Sequence, residues 1–410
     1  MKITTKISAL IFILSFFTLS LTSCFIFDTA SELSNANKGD TTINVSGVNN
    51  HQISINSTKG ESEIAAAKAL MSSVSVITDS SMGSGVIFKM TEDKGTAYIL
   101  TNYHVVYDSR TGAVNKDIDV YLYGMESYRE ASADENKQYD YTIHAEYVGG
   151  TVKYDLAVLK VVGSEVLMRS NARACDFADS DKVAVLQSAI AVGNAVGAGI
   201  SVTMGKINVT SEYINLLASD NKTTIQLRVM RTDAAVNSGN SGGGLFDEKG
   251  DLIGIVNAKE GGSSVDNIGF AIPSNVAKYI SENIIYYCDG KNEVNAQQCL
   301  LGIQVTPIAL STEYDSETGL LTRKEVIEIL SVVEGGAADG ILKEGDVLDS
   351  INIDGKTYPI TRLYHVVDAM LNARVSSTVV VSVTRGSEKL DLTVTLSGKN
   401  IKPTDSISIE

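Results

Sequence analysis

Apolar and polar positions alternate in short runs along most of the chain, and the turns between the runs are rich in glycine. From about Val74 to Ile272 the runs are short and rich in β-branched residues: VSVIT, GVIF, AYILTN, IDVYLY, LAVLKVV, VAVL, GKINV, TIQLRV, LIGIV and IGFAI. Short strands at this spacing are typical of sandwiches and barrels. The pattern therefore predicts an all-β domain.

Helical patterns flank this region. Glu61 to Met71 is rich in helix formers, and Pro273-Ser274-Asn275 opens a helix predicted to reach about Tyr286. A polar segment without aromatic residues, Asp289 to Gln298, marks a domain boundary. Beyond this boundary one segment, LYHVVDAMLNA, has a helical pattern. The other apolar runs are LLGIQV, VIEILSVV, DVLDSINI, VVVSVTR and KLDLTVTL. These predict a small α+β domain with its own core, and the residues from Ser397 predict a loose tail.

The N-terminus has the layout of a secretory signal. Two lysines precede the apolar stretch Ile7 to Leu21, which ends in Leu-Thr-Ser-Cys24. This ending resembles a bacterial lipobox, in which the cysteine carries lipid and becomes the first residue. An uncleaved signal-anchor helix stays open as an alternative, and both interpretations tether the protein outside the cytoplasm. The polar residues from Asp28 to about Gly60 predict a flexible stalk.

Composition excludes several classes of function. The 410 residues predict two or three domains. The net charge of −15 disfavours a nucleic-acid partner. The two commonest zinc signatures, CxxC and HExxH, are absent from the sequence, so a metal site has no support. After Cys24, the cysteines Cys175, Cys288 and Cys299 allow at most one disulfide, and pairing of the last two stays open.

The segment Asn237 to Gly244, NSGNSGGG, places a serine in a turn that is unusually rich in glycine. Attack of a serine hydroxyl on a carbonyl creates an oxyanion, which preorganised backbone N–H groups must meet. Glycines let such groups converge without side chains in the way. The sequence thus makes Ser241 a candidate nucleophile, with an oxyanion hole formed by Gly239, Asn240 and Ser241 itself.

A serine nucleophile needs a base, which is most often histidine. Of the four histidines, His51 lies in the predicted stalk, His144 in an alternating strand and His365 in the helical run of the last domain. His104, in LTNYHVV at the end of a strand, shares the β domain with Ser241.

A third group is needed to orient the imidazole of a catalytic histidine. Asp155 stands at the head of the apolar strand DLAVLK. A buried carboxylate there needs a partner. Taken alone, Asp155 is equally well explained as a turn former or strand cap.

The order His104, Asp155, Ser241 matches the chymotrypsin-like template and differs from the subtilisin and α/β-hydrolase orders. The chain from about Val74 to Gly398 resembles the HtrA/Deg serine proteases through MGSGVI, TNYHVV, DLAVLK, RTDAAVN before GNSGG, and GFAIP. In that family an all-β chymotrypsin-like double β-barrel protease domain is followed by small α+β PDZ domains. The resemblance implies this fold for the present chain, with one PDZ domain.

The resemblance also implies a mechanism and further site residues. His104 takes the Ser241 proton, Asp155 holds the histidine tautomer, and an acyl-enzyme forms and is hydrolysed without a cofactor. The specificity pocket is implied to involve Asn257, Ala258 and Lys259. The implied loop that captures a peptide's terminal carboxylate consists of Leu300, Leu301, Gly302 and Ile303. A purely structural role for LLGI as core strand stays open.

The predicted boundaries are residues 1–23 for a signal peptide, 24–62 for the stalk, 63–288 for the trypsin-like domain, 289–298 for a linker, 299–398 for the PDZ domain and 399–410 for the tail. The family commonly trimerises through aromatic residues near the start of the protease domain. No aromatic residue lies between Phe27 and Phe88, so a homotrimer stays open.

The leading hypothesis is a membrane-anchored serine endopeptidase that cuts unfolded or misfolded exported proteins and binds peptide C-termini. Two others stay open. One is a regulatory protease with a single membrane substrate, and the other is a catalytically idle chaperone or peptide-binding scaffold. A lipase or esterase is disfavoured because those enzymes place histidine last in the chain.

Overall fold

The computed structural model describes residues 41–43, 53–55, 60–91, 93–125, 141–257, 268–290, 293–316 and 320–407. The predicted signal peptide, Cys24, His51, Ala258 and Lys259 lie outside these ranges. In the predicted stalk, the described part before residue 60 is a strand pair, β1 (Thr41–Ile43) with β2 (Ile53–Ile55). No helix among the described residues has the length and apolar character needed to cross a membrane.

The first half of the predicted β domain begins with a helix and continues in nine strands. The elements are α1 (Glu61–Ser72), β3 (Ser73–Thr78), β4 (Met82–Met90), β5 (Ala97–Thr101), α2 (Tyr103–Val106), β6 (Tyr107–Asp108), β7 (Ala113–Val114), β8 (Ile118–Leu122), β9 (Ile143–His144), β10 (Glu146–Thr151) and β11 (Leu156–Val161). Seven of the strands form one sheet in the order β10–β11–β5–β4–β3–β8–β9. The apolar runs of this half are buried in it, as their alternation predicted.

The second half is a closed barrel. After the short helix α3 (Glu165–Arg169) come β12 (Ser188–Gly193), β13 (Ser201–Leu217), β14 (Thr224–Thr232), β15 (Gly244–Phe246), β16 (Leu252–Asn257), β17 (Gly269–Pro273) and the helix α4 (Ser274–Cys288). The barrel closes in the order β12–β13–β14–β17–β16–β15. All six residues of β12 and of β16 are buried, so both faces of each strand are covered.

One predicted strand is wrong. The run VAVL, residues 183–186, is not a strand, and the strand of this region is the following run, β12. Leu186 has a positive φ of 67° and is 70% exposed. A β-branched run therefore serves here as the turn that leads into the barrel.

The remaining elements form the C-terminal module, residues 297–407. Its elements are β19 (Gln297–Cys299), β20 (Ile303–Asp315), β21 (Leu320–Val332), β22 (Val347–Ile353), β23 (Lys356–Pro359), α5 (Leu363–Asn372), β24 (Thr378–Arg385), β25 (Glu388–Thr395) and β26 (Ile401–Pro403). The main sheet has the order β20–β21–β22–β24–β25, with β23 on β22. A separate apolar core, which includes Ile327, Ile351 and Val381, supports this module as the sequence predicted.

Two segments are more ordered than their composition predicted. The polar linker contains β18 (Val294–Asn295), which extends the first sheet by pairing in parallel with β10. The tail is not loose, because β26 pairs with β19. Short backbone ladders give no apolar periodicity, so the hydrophobic pattern could not reveal them. Cys175, Cys288 and Cys299 are all free thiols.

A buried ion pair joins the barrel to the C-terminal module. Arg228 on β14 donates from Nη2 to Asp368 Oδ2 on α5, and both residues are less than a tenth exposed. The Arg228 guanidinium also lies 3.9 Å from the ring centre of Tyr364. Burial raises the pKa of Asp368 to about 6, and the neighbouring Arg228 opposes that rise. The pair is one of the contacts that hold α5 against the barrel.

Replacing one partner of this pair should therefore destabilise the protein strongly. We expect Arg228→Met to lower the free energy of unfolding by about 3–5 kcal/mol, because it leaves the Asp368 carboxylate buried without its cation. The double variant Arg228→Met/Asp368→Leu should recover most of the loss. Urea unfolding of both variants measures this, and equal losses in the two would contradict it.

Candidate active site

The site is built around Asp155, which is 2% exposed. It is the last residue of the turn between β10 and β11, and its φ is +48°. A non-glycine residue in this conformation persists only where the surrounding structure holds it. Here the Asp155 carbonyl accepts hydrogen bonds from the Tyr103 N–H at 3.1 Å and from Asn102 Nδ2 at 2.9 Å.

The Asp155 carboxylate holds His104 at two points. Its Oδ1 accepts the His104 backbone N–H at 3.0 Å, and its Oδ2 lies 2.7 Å from His104 Nδ1. An ionised carboxylate only accepts, so Nδ1 carries the proton and Nε2 is left as an acceptor. The short helix α2 supplies this geometry because His104 is its second residue. The structure thus joins two of the three predicted triad residues directly.

Ser241 lies in the glycine-rich turn before β15. Its carbonyl oxygen accepts the Ser84 N–H at 2.8 Å. Gly83 fits between this carbonyl and Val105, the residue after His104. A Cβ at Gly83 would lie 2.7 Å from the Val105 methyl carbons and 3.0 Å from the Ser241 oxygen. Ser241 itself is 6% exposed.

The predicted oxyanion turn requires glycine at its first position. Gly239 has a φ of +93°, and a Cβ there would lie 2.2 Å from the Asn194 carbonyl oxygen. Among the described residues, no acceptor takes a hydrogen bond from the Gly239 N–H. Asn240 is buried, and its N–H donates to the Asn237 carbonyl at 3.0 Å. This turn therefore keeps the Gly239 N–H available for an oxyanion.

Sequence reasoning missed the role of Ser84, a residue inside the MGSGVI motif. Its Oγ donates to the Gly239 carbonyl at 2.7 Å and accepts the Asn194 N–H at 2.8 Å. Together with its bond to the Ser241 carbonyl, Ser84 holds both ends of the Gly239–Ser241 segment. Only the folded chain brings these residues together, so no local pattern could have shown it.

Asn257, predicted for the specificity pocket, contacts Asp155 instead of lying apart from it. Its Nδ2 donates to Asp155 Oδ2 at 2.8 Å, and the residue is 2% exposed. The preceding residue, Val256, accepts the Gly242 N–H at 2.9 Å and donates to the Gly243 carbonyl at 2.8 Å. The end of β16 therefore binds both the Asp155 carboxylate and the nucleophile turn. The pocket role of Asn257 stays a prediction, as do those of Ala258 and Lys259.

The predicted carboxylate loop lies in the C-terminal module, at the start of β20. Leu301 is 3% exposed and belongs to the module's core, whereas Gly302 has a φ of +75°. The Leu300 N–H donates to the Asn400 carbonyl at 2.7 Å. The described residues show no hydrogen bond donated by the N–H groups of Leu301 and Gly302. The other two histidines in the described ranges lie elsewhere: His144 pairs with Asp119, and His365 lies on α5.

Comparison with known proteins decides the family. A family described as "Trypsin-like peptidase domain" matches residues 83–255. The chain is 33% identical over 328 residues to the serine protease Do-like HtrA of Lactococcus lactis subsp. cremoris (strain MG1363), covering 78% of this chain and 71% of that protein. The chain belongs to the HtrA/Deg family. It is a serine endopeptidase, as predicted.

Other members agree with this assignment. The periplasmic pH-dependent serine endoprotease DegQ of Escherichia coli (strain K12) is 30% identical over 322 residues, covering 77% of this chain and 59% of DegQ. The solved structure titled "HtrA-type protease AlgW with tripeptide" shares 29% identity with a TM-score of 0.50, covering 83% of this chain and 97% of that one. The predicted fold class is confirmed. The chain spans 40% to 71% of the first curated HtrA relatives' own length.

The contact between Asn257 and Asp155 predicts a pH-dependent defect. Asn257→Asp keeps the shape of the side chain but places a second carboxylate, instead of an N–H donor, next to Asp155 Oδ2. Two carboxylates in contact disfavour the state in which both are ionised. We expect peptidase kcat/KM at pH 8 to fall roughly a hundredfold, against about tenfold for Asn257→Ala.

Lowering the pH should reduce the difference in kcat/KM between these two variants, because the introduced carboxyl can donate a hydrogen bond to Asp155 once it is protonated. Steady-state kinetics from pH 5 to 9 measures the gap. Identical profiles for the two variants would show that the amide does not act on the Asp155 carboxylate.

Proposed function

We propose that Ser241, His104 and Asp155 form the catalytic triad of this HtrA/Deg endopeptidase. The observation that carries the proposal is the pair of contacts from Asp155 to the ring and backbone of His104, at 2.7 and 3.0 Å. These contacts leave Nε2 as the acceptor, which is the state a general base needs. Ser241 lies in the turn held by Ser84 and Val256.

The proposed reaction is acyl transfer in two steps. His104 Nε2 removes the Ser241 hydroxyl proton while Oγ attacks the substrate's carbonyl carbon. The oxyanion accepts hydrogen bonds from the N–H groups of Gly239 and Ser241. The imidazolium, stabilised by Asp155, gives its proton to the leaving amine, and water then hydrolyses the ester with His104 as base. The proposed steps use only side chains, backbone N–H groups and water.

The proposed substrates are unfolded or misfolded exported proteins. Extended segments suit a protease that binds its substrate by the backbone, and folded proteins seldom offer them. The name of the E. coli relative DegQ calls it periplasmic, which supports export of this chain. We propose anchoring through lipid on Cys24, facing outside the cytoplasm. A homotrimer remains a hypothesis.

The C-terminal module is proposed to bind peptide C-termini. The N–H groups of Leu301 and Gly302 are available beside β20, which is an edge strand of its sheet. A terminal carboxylate could accept from these groups while the preceding residues extend the sheet as an added strand. Gly302 is suited to the loop because its φ of +75° favours glycine.

The triad proposal predicts a specific covalent label. The ectodomain from residue 61 should react with a fluorophosphonate and cleave unfolded casein, and Ser241→Ala should abolish both. Ser281→Ala is a matched control, because it also removes one buried serine hydroxyl, which donates to the Lys278 carbonyl on α4. It should keep both activities. A folded wild-type protein that neither labels nor cleaves, with or without C-terminal peptides, would refute the proposal and favour an idle chaperone.

The peptide-binding proposal predicts dependence on a free carboxylate. Peptides ending in an apolar residue should bind the ectodomain, and their C-terminal amides should bind at least about tenfold more weakly, because the charge-assisted bonds to the loop are lost. Fluorescence polarisation measures both affinities. Equal affinities for acid and amide would contradict capture by this loop.

A further inference from the structure

The end of the described chain returns from the C-terminal module to the first sheet. We call residues 401–407 the C-terminal strap. Its strand β26 pairs antiparallel with β19, and the Thr404 N–H donates to the Ala296 carbonyl at 2.8 Å. The Thr404 side chain, which is fully buried, lies 2.9 Å from the Thr151 hydroxyl at the end of β10. The strap thus ends against the turn that carries Asp155.

Asp405 closes this contact with four hydrogen bonds. Its Oδ1 accepts from the Thr151 hydroxyl at 2.7 Å and from the Lys153 N–H at 2.9 Å. Its Oδ2 accepts from the Val152 N–H at 3.1 Å and from the Asn295 side-chain amide. One carboxylate therefore binds the backbone of both residues at the head of the turn, although Asp405 is about 250 residues away in sequence.

The same turn sets the position of Asp155. The Asp155 N–H donates to the Val152 carbonyl at 3.1 Å, so Val152 is bonded to Asp405 on one side and to Asp155 on the other. Asp155 has a positive φ in the conformation in which its carboxylate reaches His104. A conformation of this kind needs support from the structure around it. The strap supplies that support from outside the β domain.

We propose that Asp405 is a positioning residue for the catalytic site, acting through the 151–154 turn on Asp155. This inference rests on the proposed triad and goes beyond it, because it makes the end of the chain part of the machinery. Asp405 touches no reacting atom. Its effect is on how well the Asp155 carboxylate is aimed at His104 Nδ1, where a misplacement of about 1 Å costs up to a hundredfold in rate.

The test compares Asp405→Ala and Asp405→Asn with the control Asp391→Asn. Asp391 lies on β25, and it also accepts a side-chain hydrogen bond at 2.6 Å, from Ser382. On a peptide substrate we expect Asp405→Ala to lower kcat about tenfold with KM within about twofold. Asp405→Asn should fall between it and wild type, because the amide keeps one acceptor oxygen. The control should match wild type.

A pH profile separates positioning from loss of structure. If Asp155 is less well aimed at His104, the imidazolium is less stabilised, so the acidic limb of kcat/KM should move to lower pH in Asp405→Ala. A smaller folded fraction would scale the whole profile without moving that limb. The fluorophosphonate labelling rate per folded molecule should fall in parallel with kcat.

A second variant tests the hydrogen bond between Asp405 and Thr151 by changing Thr151. Thr151→Val keeps the volume of the side chain and removes its hydroxyl donor to Asp405. Thr151→Val also removes the hydroxyl that accepts from Thr404. The double variant Asp405→Ala/Thr151→Val should nevertheless lose less activity than the two single losses combined, because Asp405 and Thr151 share one hydrogen bond. Unchanged kcat and pH profile in Asp405→Ala, in an active wild-type enzyme, would overturn the inference. An inactive wild-type enzyme would instead overturn the proposed function.

Discussion

The buried carboxylate of Asp155 is the group on which the rest of the site depends. A charge that is 2% exposed must find donors, and this one finds three, from the His104 backbone, the His104 ring and the Asn257 amide. Two of these donors belong to His104 at the start of α2, and the third belongs to Asn257 at the end of β16. Satisfying one carboxylate therefore brings the two halves of the β domain together at the point where Ser241 lies.

The sequence singled out the candidate catalytic residues but not the residues that hold them in place. Ser241 and Gly239 became candidates because a nucleophile turn needs glycines, and His104 and Asp155 because their order and strand positions fit one template. Ser84, the Asn257 contact and Asp405 could not be found, because each acts through a hydrogen bond between distant segments. The predicted strand VAVL failed for a related reason. β-branched composition favours a strand, but Val185 and Leu186 are exposed and the next run, β12, takes the buried place in the barrel.

Polar contacts help to attach the C-terminal module to the β domain, beside the packing of Leu371 into the β domain's apolar core. Arg228 pairs with Asp368, Asn283 on α4 donates to the Leu371 carbonyl at 3.1 Å, and Asp405 binds the turn before Asp155. Directional bonds of this kind specify one arrangement more sharply than apolar contact does. The strap also begins beside the loop at Leu300, through the bond from Leu300 to Asn400. One short segment therefore lies between the candidate peptide-binding loop and the candidate catalytic aspartate.

The central claim is that Asp155 holds the His104 ring through Nδ1–H. Proton NMR of the ectodomain tests this directly, because a proton in a short, buried hydrogen bond to a carboxylate resonates far downfield and exchanges slowly with water. We predict one such signal in wild type, unchanged in His144→Gln, since the His144 side chain is 84% exposed and its pair with Asp119 exchanges with solvent. The signal should vanish in Asp155→Asn. Its absence from wild type, or its persistence in Asp155→Asn, would contradict the account.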